Sequence, residues 1–284
     1  MVQEAAWKLA DLRRVAQEFW PEETAEGWDR VGLVTGRDDQ PLRRVLLAVD
    51  AVAATVDEAV AWDADALLTH HPLLLRGVHT IAEDTGKGAL LARLIRGECA
   101  LLAAHTNADA PAGGVSDVIA ERLGLVGAEP LVPGGPGALP GAGIGRVGQL
   151  PAPLTLAEFA AHVAGVMPRT VQGVRVAGDP GRGVERVALL GGAGDSLLDH
   201  PLVRGADVYL TSDLRHHPAQ DALELAAAAG GPALVDVAHW ASESLWLEGA
   251  AERLAERLPG AEFRVSGIRT DPWTFAVGAE TAGD

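Results

Sequence analysis

The stretch "DALLTHHPLLL" (65–75) is an apolar run that stops at two adjacent imidazoles, His70 and His71, followed by Pro72. Two His–acid pairs occur at a spacing of four residues, His105 with Asp109 in "HTNAD" and His239 with Glu243 in "HWASE". For His239 and Glu243, where a strand passes into a helix, that spacing puts both side chains on one face, adequate for chelating a metal ion. His105 and Asp109 share the spacing in a turn rather than a helix. Neighbours on an extended strand point to opposite sides, so His70 and His71 do not easily grip one ion together. They suit two ions flanking the strand end, about 3.5–4 Å apart and bridged by a carboxylate from Asp109 or Glu243. Each residue alone has an ordinary reading. A histidine can be a hydrogen-bonded core residue, Glu243 a solvated helix position, and Asp109 an Asx turn before Pro111, beside turn glycines at Gly113 and Gly114. The set as a whole points to metal, because all its members fall at strand ends.

The elements that must position these residues alternate along the chain. Leu9, Leu12, Val15 and Phe19 recur at helical spacing. "WDRVGLVTG" suits a strand with a loop, and "RRVLLAVDA" (43–51) a buried strand. "TVDEAVAWD" (55–63) reads as a helix with Thr55 as N-cap and Glu58 three residues on. Next come the strand ending at His70, a helix in "GALLARLIRG", a strand in "CALLAAHT", and a helix over 116–124 closed by Gly124. Strands that are apolar on both faces, separated by helices, predict an α/β fold with mostly parallel sheets flanked by helices.

The second part of the chain repeats the first. Residues 43–72 align without gaps to 185–214, with a Val-led strand, a helix-length spacer, then Ala-Asp, apolar residues and Thr. A third strand follows in each, "CALLAAHT" and "PALVDVAHW", and both end near a histidine. The chain therefore divides into a first α/β half (1–128), a Pro/Gly-rich loop and connecting segment (129–183), and a second α/β half (184–284). Ligands bind at the carboxyl ends of strands in such sheets, which places the metal site between the halves.

Composition narrows the function. A net charge of −16 over 284 residues opposes a nucleic-acid or anionic-membrane surface. No apolar run is long enough to span a bilayer, and the start has no apolar segment of the secretory kind. The single cysteine, Cys99, forms no internal disulfide, which fits the cytoplasm. There is no P-loop pattern. Arg146, Arg215 and Lys87 are the cations that would neutralise a triphosphate, and the Gly191–Gly194 turn is a generic phosphate-cradle candidate.

The segments "WDRVGLVTG", "LLTHHPLLL", "AAHTNADAPAGGVSDVIAERLGL", "GRVGQL", "GGAGDSLL", "ADVYLTSDLRHH" and "DVAHWASE" resemble, in order, those of the NIF-three-like dinuclear metal-centre proteins, also called GTP cyclohydrolase 1 type 2 homologues. The resemblance spans roughly residues 8–278. It implies metal ligation by His70, His71, Asp109, His239 and Glu243, with His105 nearby as a catalytic or substrate-facing group. It also implies two divalent ions (Zn, Fe, Mn or Ni) and a toroidal homohexamer. Some relatives carry an extra domain between the halves, and the roughly 60 residues between Leu125 and Val187 leave no room for it. "TSDLRHH" keeps Asp213 and His217, and departs from the pattern at His216 and Pro218.

Two such ions would lower the pKa of a shared water to about 7, and metal-assisted hydrolysis is the natural reaction class. The family's activity makes the substrate GTP, opened at purine C8 with release of formate and with His105 shuttling protons. The same residues also fit a two-metal phosphoesterase acting on a nucleotide or phosphorylated small molecule. The remaining alternatives are a non-catalytic metal-binding regulatory or interaction protein and a metal-free α/β scaffold.

Overall fold

A computed structural model describes residues 7–135 and 138–278. Positions 136 and 137 of the Pro/Gly-rich loop, and the first six residues of the chain, lie outside the described residues. The principal strands, in chain order, are β1 (Gly32–Thr35), β2 (Arg44–Ala48), β3 (Ala66–Thr69), β4 (Ala100–Ala103), β5 (Val126–Glu129), β6 (Arg146–Thr155), β7 (Val174–Ala177), β8 (Gly183–Ala193), β9 (Val208–Ser212), β10 (Ala233–Val237) and β11 (Glu262–Val265). The helices are α1 (Leu9–Phe19), α2 (Ala53–Ala61), α3 (Gly86–Arg96), α4 (Thr106–Asp109), α5 (Val115–Arg122), α6 (Leu156–Val166), α7 (Pro201–Arg204), α8 (His216–Ala229), α9 (His239–Ser244) and α10 (Trp246–Arg257).

These elements form two compact units. Among the described residues, the first holds 7–111 together with Trp246–Thr270. Its five-stranded sheet has the order β11-β2-β3-β4-β1. The first three pairings are parallel and β1 is an antiparallel edge. Every residue of β3 and β4 is buried, as strands covered on both faces require. One face packs Leu46, Leu67 and Leu101 against Val56 and Ala59 of α2 and Leu91 and Leu94 of α3. On α1 the helical stripe buries Leu9, Leu12 and Val15, while Phe19 lies under the Arg253 guanidinium at 4.3 Å.

The second unit holds Ala112–Leu245 and, among the described residues, 271–278. Its six-stranded sheet has the order β7-β10-β9-β8-β6-β5. The β8-β9-β10 centre is parallel, and the outer pairings are antiparallel. The fold is thus α/β, with two βαβ-containing sheets flanked by helices. The compact units are not continuous in sequence, unlike a division at 128 and 184. After β10 and α9 the chain returns to the first unit, because the apolar strand β2 still needs the parallel partner β11. The segment 129–183 is structured too, since β6 and β7 extend the second sheet and α6 carries a Thr155–Glu158 capping box.

The repeat is explicit in the hydrogen bonding. The Asp65 carboxylate accepts the backbone N–H groups of Arg43 and Arg44 at 2.7 and 2.9 Å. Asp207, its aligned counterpart, accepts those of Glu185 and Arg186 at 2.9 and 2.7 Å. The two Asp carbonyls likewise accept from Ala100 and Ala233, each at 2.9 Å. One local difference concerns α2, which begins at Ala53 with Val52 as its N-cap. The Thr55 hydroxyl donates to the Asp50 carbonyl and accepts the Val52 N–H, so it serves the helix start from inside the first turn.

Either Asp65→Ala or Asp207→Ala strands two backbone donors, so each should lower stability by about 1–3 kcal/mol. Asn at either position should retain part of the loss, because the amide oxygen still accepts. Thermal and urea unfolding of the four variants would measure this, and a neutral Asp207→Ala would show that the repeated motif contributes nothing.

Candidate metal centre

The candidate residues of the first unit lie where β2, β3 and β4 end. The ladder continues past β3, with His70 N–H donating to the Ala48 carbonyl at 3.1 Å and His71 N–H to that of Val49 at 2.8 Å. The strand itself ends at Thr69 and the backbone bends at both histidines, so the alternation of an extended strand does not hold there. The imidazoles converge, with ring centroids 5.2 Å apart and 5.1 and 5.3 Å respectively from that of His105. One ring nitrogen from each of His70, His71 and His105 lies within 4.8 Å of the others. Asp109 ends α4, a single helical turn in which its N–H bonds back to the His105 carbonyl at 3.1 Å. Its Oδ1 is 3.6 Å from His70 Nε2.

Each imidazole is held through Nδ1. His70, fully buried, donates to the Ala104 carbonyl at 2.9 Å. His71 faces Asp50 Oδ1 at 2.7 Å, and the Thr270 hydroxyl donates to the other Asp50 oxygen. His105 faces Asp29 Oδ1 at 2.9 Å, while Asp29 Oδ2 accepts the Thr106 N–H at 3.1 Å and its hydroxyl at 2.6 Å. Burial works against the Asp29 charge, but these bonds from His105 and Thr106 prevail and hold its pKa below the usual carboxylate value. With Nδ1 committed to an acceptor, each neutral ring keeps Nε2 as its basic nitrogen.

In the second unit, β10 exits through Ala238 into α9, whose first residue is His239. The helical spacing brings His239 Nε2 to 2.8 Å from Glu243 Oε1. The other ring nitrogen, Nδ1, lies 2.9 Å from Asp213 Oδ2. Burial alone would lower the His239 pKa, but the Glu243 and Asp213 carboxylates outweigh it and raise the value to about 11. The same hydrogen bond from His239 lowers the pKa of Asp213. Asp213 is the aligned counterpart of His71, so one strand-exit position carries an imidazole in one repeat and a carboxylate in the other.

The glycine run 191–194 has a structural role beside this pair. At Gly192, with φ +74°, an added Cβ would stand 2.7 Å from Glu243 Oε1. Its N–H donates to the Ser242 hydroxyl at 3.0 Å, which in turn donates to the His239 carbonyl at 2.8 Å. The run is therefore a close-approach bulge that accommodates the His–Glu pair. Arg146 is also structural, being buried and bound to Asp117 at 2.5 Å and to the Gly143 and Gly145 carbonyls at 2.7 Å. Arg215 pairs with Asp195, and Lys87 sits in the first turn of α3.

Asp29, Asp50 and the role of Asp213 were not singled out from the sequence. The available signal was an acidic residue closing a parallel strand, as in "LLAVD", or a short loop, as in "WDRVG". The residues present fit a divalent metal. Nitrogen and oxygen donors are gathered in each unit, and four imidazoles are oriented by an acceptor on Nδ1, as ligating histidines are.

An α/β architecture with histidine–carboxylate groups at the strand exits defines a class of candidate metal proteins, and sequence comparison narrows it. The Duf34/NIF3 (NGG1p interacting factor 3) family profile matches residues 7–272, and the chain belongs to this family. It is 48% identical over 275 residues to a GTP cyclohydrolase 1 type 2 homolog of Streptomyces coelicolor, covering 95% of each chain. A protein of the same description from Mycobacterium leprae is 35% identical, with 98% of this chain and 97% of the relative covered. That alignment runs over 383 positions, more than the chain's 284 residues, so the relative holds residues this chain lacks. Among solved structures, a Bacillus cereus protein related to NIF3 superposes with a TM-score of 0.83 at 26% identity, covering 94% of this chain and 98% of that one.

Gly192→Ala should cost about 1–2 kcal/mol from the left-handed backbone alone, and should displace the Glu243 carboxylate as well. A lowered unfolding midpoint together with shifted His239 ring resonances is the expected result. Unchanged His239 resonances would show that the bulge does not hold the pair.

Proposed function

We propose that this protein is a metal-dependent hydrolase with a dinuclear divalent-metal centre, its ligands drawn from His70, His71, Asp109, His239 and Glu243. The observation that carries the reading is the Nδ1 anchoring of the imidazoles by Ala104, Asp50, Asp29 and Asp213. Zn, Fe, Mn and Ni all suit this donor set. Bound ions would supply Lewis-acid activation of a water molecule and of the bond it attacks.

The chain's own residues supply the rest. His105, its Nδ1 proton directed at Asp29, accepts a proton at Nε2 and returns it, and Asp29 stabilises the imidazolium in between. The descriptions of the relatives favour GTP as substrate. One water adding at purine C8 opens the imidazole ring to a formamide, and a second water cleaves that formamide, releasing the carbon as formate. The net charge of −16 favours a small ligand over nucleic acid. No described helix is long and apolar enough to cross a membrane. Homohexameric assembly and a cytoplasmic location complete the proposal. The location accords with Cys99, which is buried, its thiol pKa pushed up to about 12 by burial.

Metal analysis should find ions bound to the wild-type protein and a substoichiometric amount in His70→Ala and Glu243→Ala. Full occupancy in both variants would sink the metal reading. Asp50→Asn should weaken metal binding roughly 10- to 100-fold in a chelator competition, with the fold retained. Metal-reconstituted protein incubated with GTP should yield formate and an altered purine by mass spectrometry. Inorganic phosphate instead would make it a phosphoesterase, and intact GTP would leave the metal site without this chemistry.

A further inference from the structure

Trp28 stands beside the histidine cluster and is 57% exposed, so part of its large aromatic surface is open to a ligand. The segment carrying it is anchored. Asp29 N–H donates to the Glu26 carbonyl at 2.8 Å, and Glu26 N–H donates to the Thr106 hydroxyl at 3.0 Å. The Asp29 carboxylate is itself bonded to His105 and Thr106. The indole meets the His105 ring edge-to-face, with centroids 5.9 Å apart and planes at 80°. An aromatic surface on an anchored segment thus touches the His70–His71–His105 group at His105.

We propose that Trp28 is a stacking platform for a planar heteroaromatic ligand, a purine base, held beside the His70–His71–His105 cluster. The edge-to-face contact uses one side of the indole system and leaves much of the ring exposed to take a base. An aromatic face accepts any base without hydrogen-bond readout, so Trp28 contributes affinity, and discrimination among bases falls to other groups. Trp28 immediately precedes Asp29, whose carboxylate holds His105, so the base would lie close to the proton-shuttling residue. The proposal rests on the reading above only in taking the cluster as the reacting site, and binding can be measured without turnover.

The test is calorimetric titration of guanosine, GTP and ribose 5-phosphate into the full-length wild-type protein, Trp28→Ala and Trp28→Phe, each with its metal content and mass in solution recorded. Guanosine and GTP should bind the wild type, and Trp28→Ala should weaken both by about tenfold or more. Trp28→Phe should recover most of the loss, and ribose 5-phosphate should be indifferent to the substitution. Metal content should be equal in all three proteins. Equal guanosine affinity in Trp28→Ala, or no guanosine or GTP binding to the wild type, overturns the proposal. Loss of assembly or metal in Trp28→Ala without a base-selective effect also overturns it and assigns Trp28 a structural role. Base binding through Trp28 without formate release would defeat the cyclohydrolase reading and leave the platform standing.

Discussion

The imidazole–acceptor contact at Nδ1 is the interaction on which the rest of the site depends. A neutral imidazole has one N–H and one lone pair, and without a partner it exchanges between two tautomers and many ring orientations. At His70, His71 and His105 a carbonyl or carboxylate oxygen 2.7–2.9 Å from Nδ1 selects one tautomer and one orientation of the neutral ring, leaving Nε2 basic. Such an acceptor must itself be held. Asp29 is held by Thr106, and Asp50 by Thr270. The Ala104 carbonyl is fixed because Ala104 N–H donates to the Thr69 carbonyl in the strand ladder.

Parallel sheets explain why these acceptors can be assembled. Adjacent parallel strands end at the same edge, so β2, β3 and β4 bring Asp50, His70, His71 and Ala104 together although they are distant in sequence. The repeated Asp65 and Asp207 motifs fix the opposite ends of the strands in matching register. Chemistry at the exits is then free to diverge while the strands stay alike. His71 and Asp213 illustrate this, one a candidate ligand and the other a carboxylate that orients one.

The second unit adds a steric condition. Glu243 and His239 approach each other within the width of a hydrogen bond, and the bulge of β8 passes close against them. Only a residue without a Cβ fits at Gly192, and only glycine takes its backbone conformation without cost. The glycine-rich run is therefore explained by packing, although its composition alone resembles a phosphate loop.

Much of this was legible along the chain. Apolar runs of four or five residues such as "ALLT" specify strands buried on both faces, because no amphipathic alternation remains to expose one. The i, i+4 spacing of His239 and Glu243 determines their contact as soon as a helix forms there, since the helix places both on one face. The partners Asp29, Asp50 and Asp213 were not legible in the same way. Each lies at least twenty residues from the histidine it orients, and an acidic residue at a strand exit is commonplace. The return of α10 and β11 to the first sheet was hidden for the same reason, as local pattern does not name a strand's neighbour. The sequence by itself determined the elements, the repeat and the candidate ligands, through local periodicity and residue chemistry. Tertiary structure decided which oxygen holds which imidazole, because that depends on strand order and register, which are set by the burial of the whole sheet.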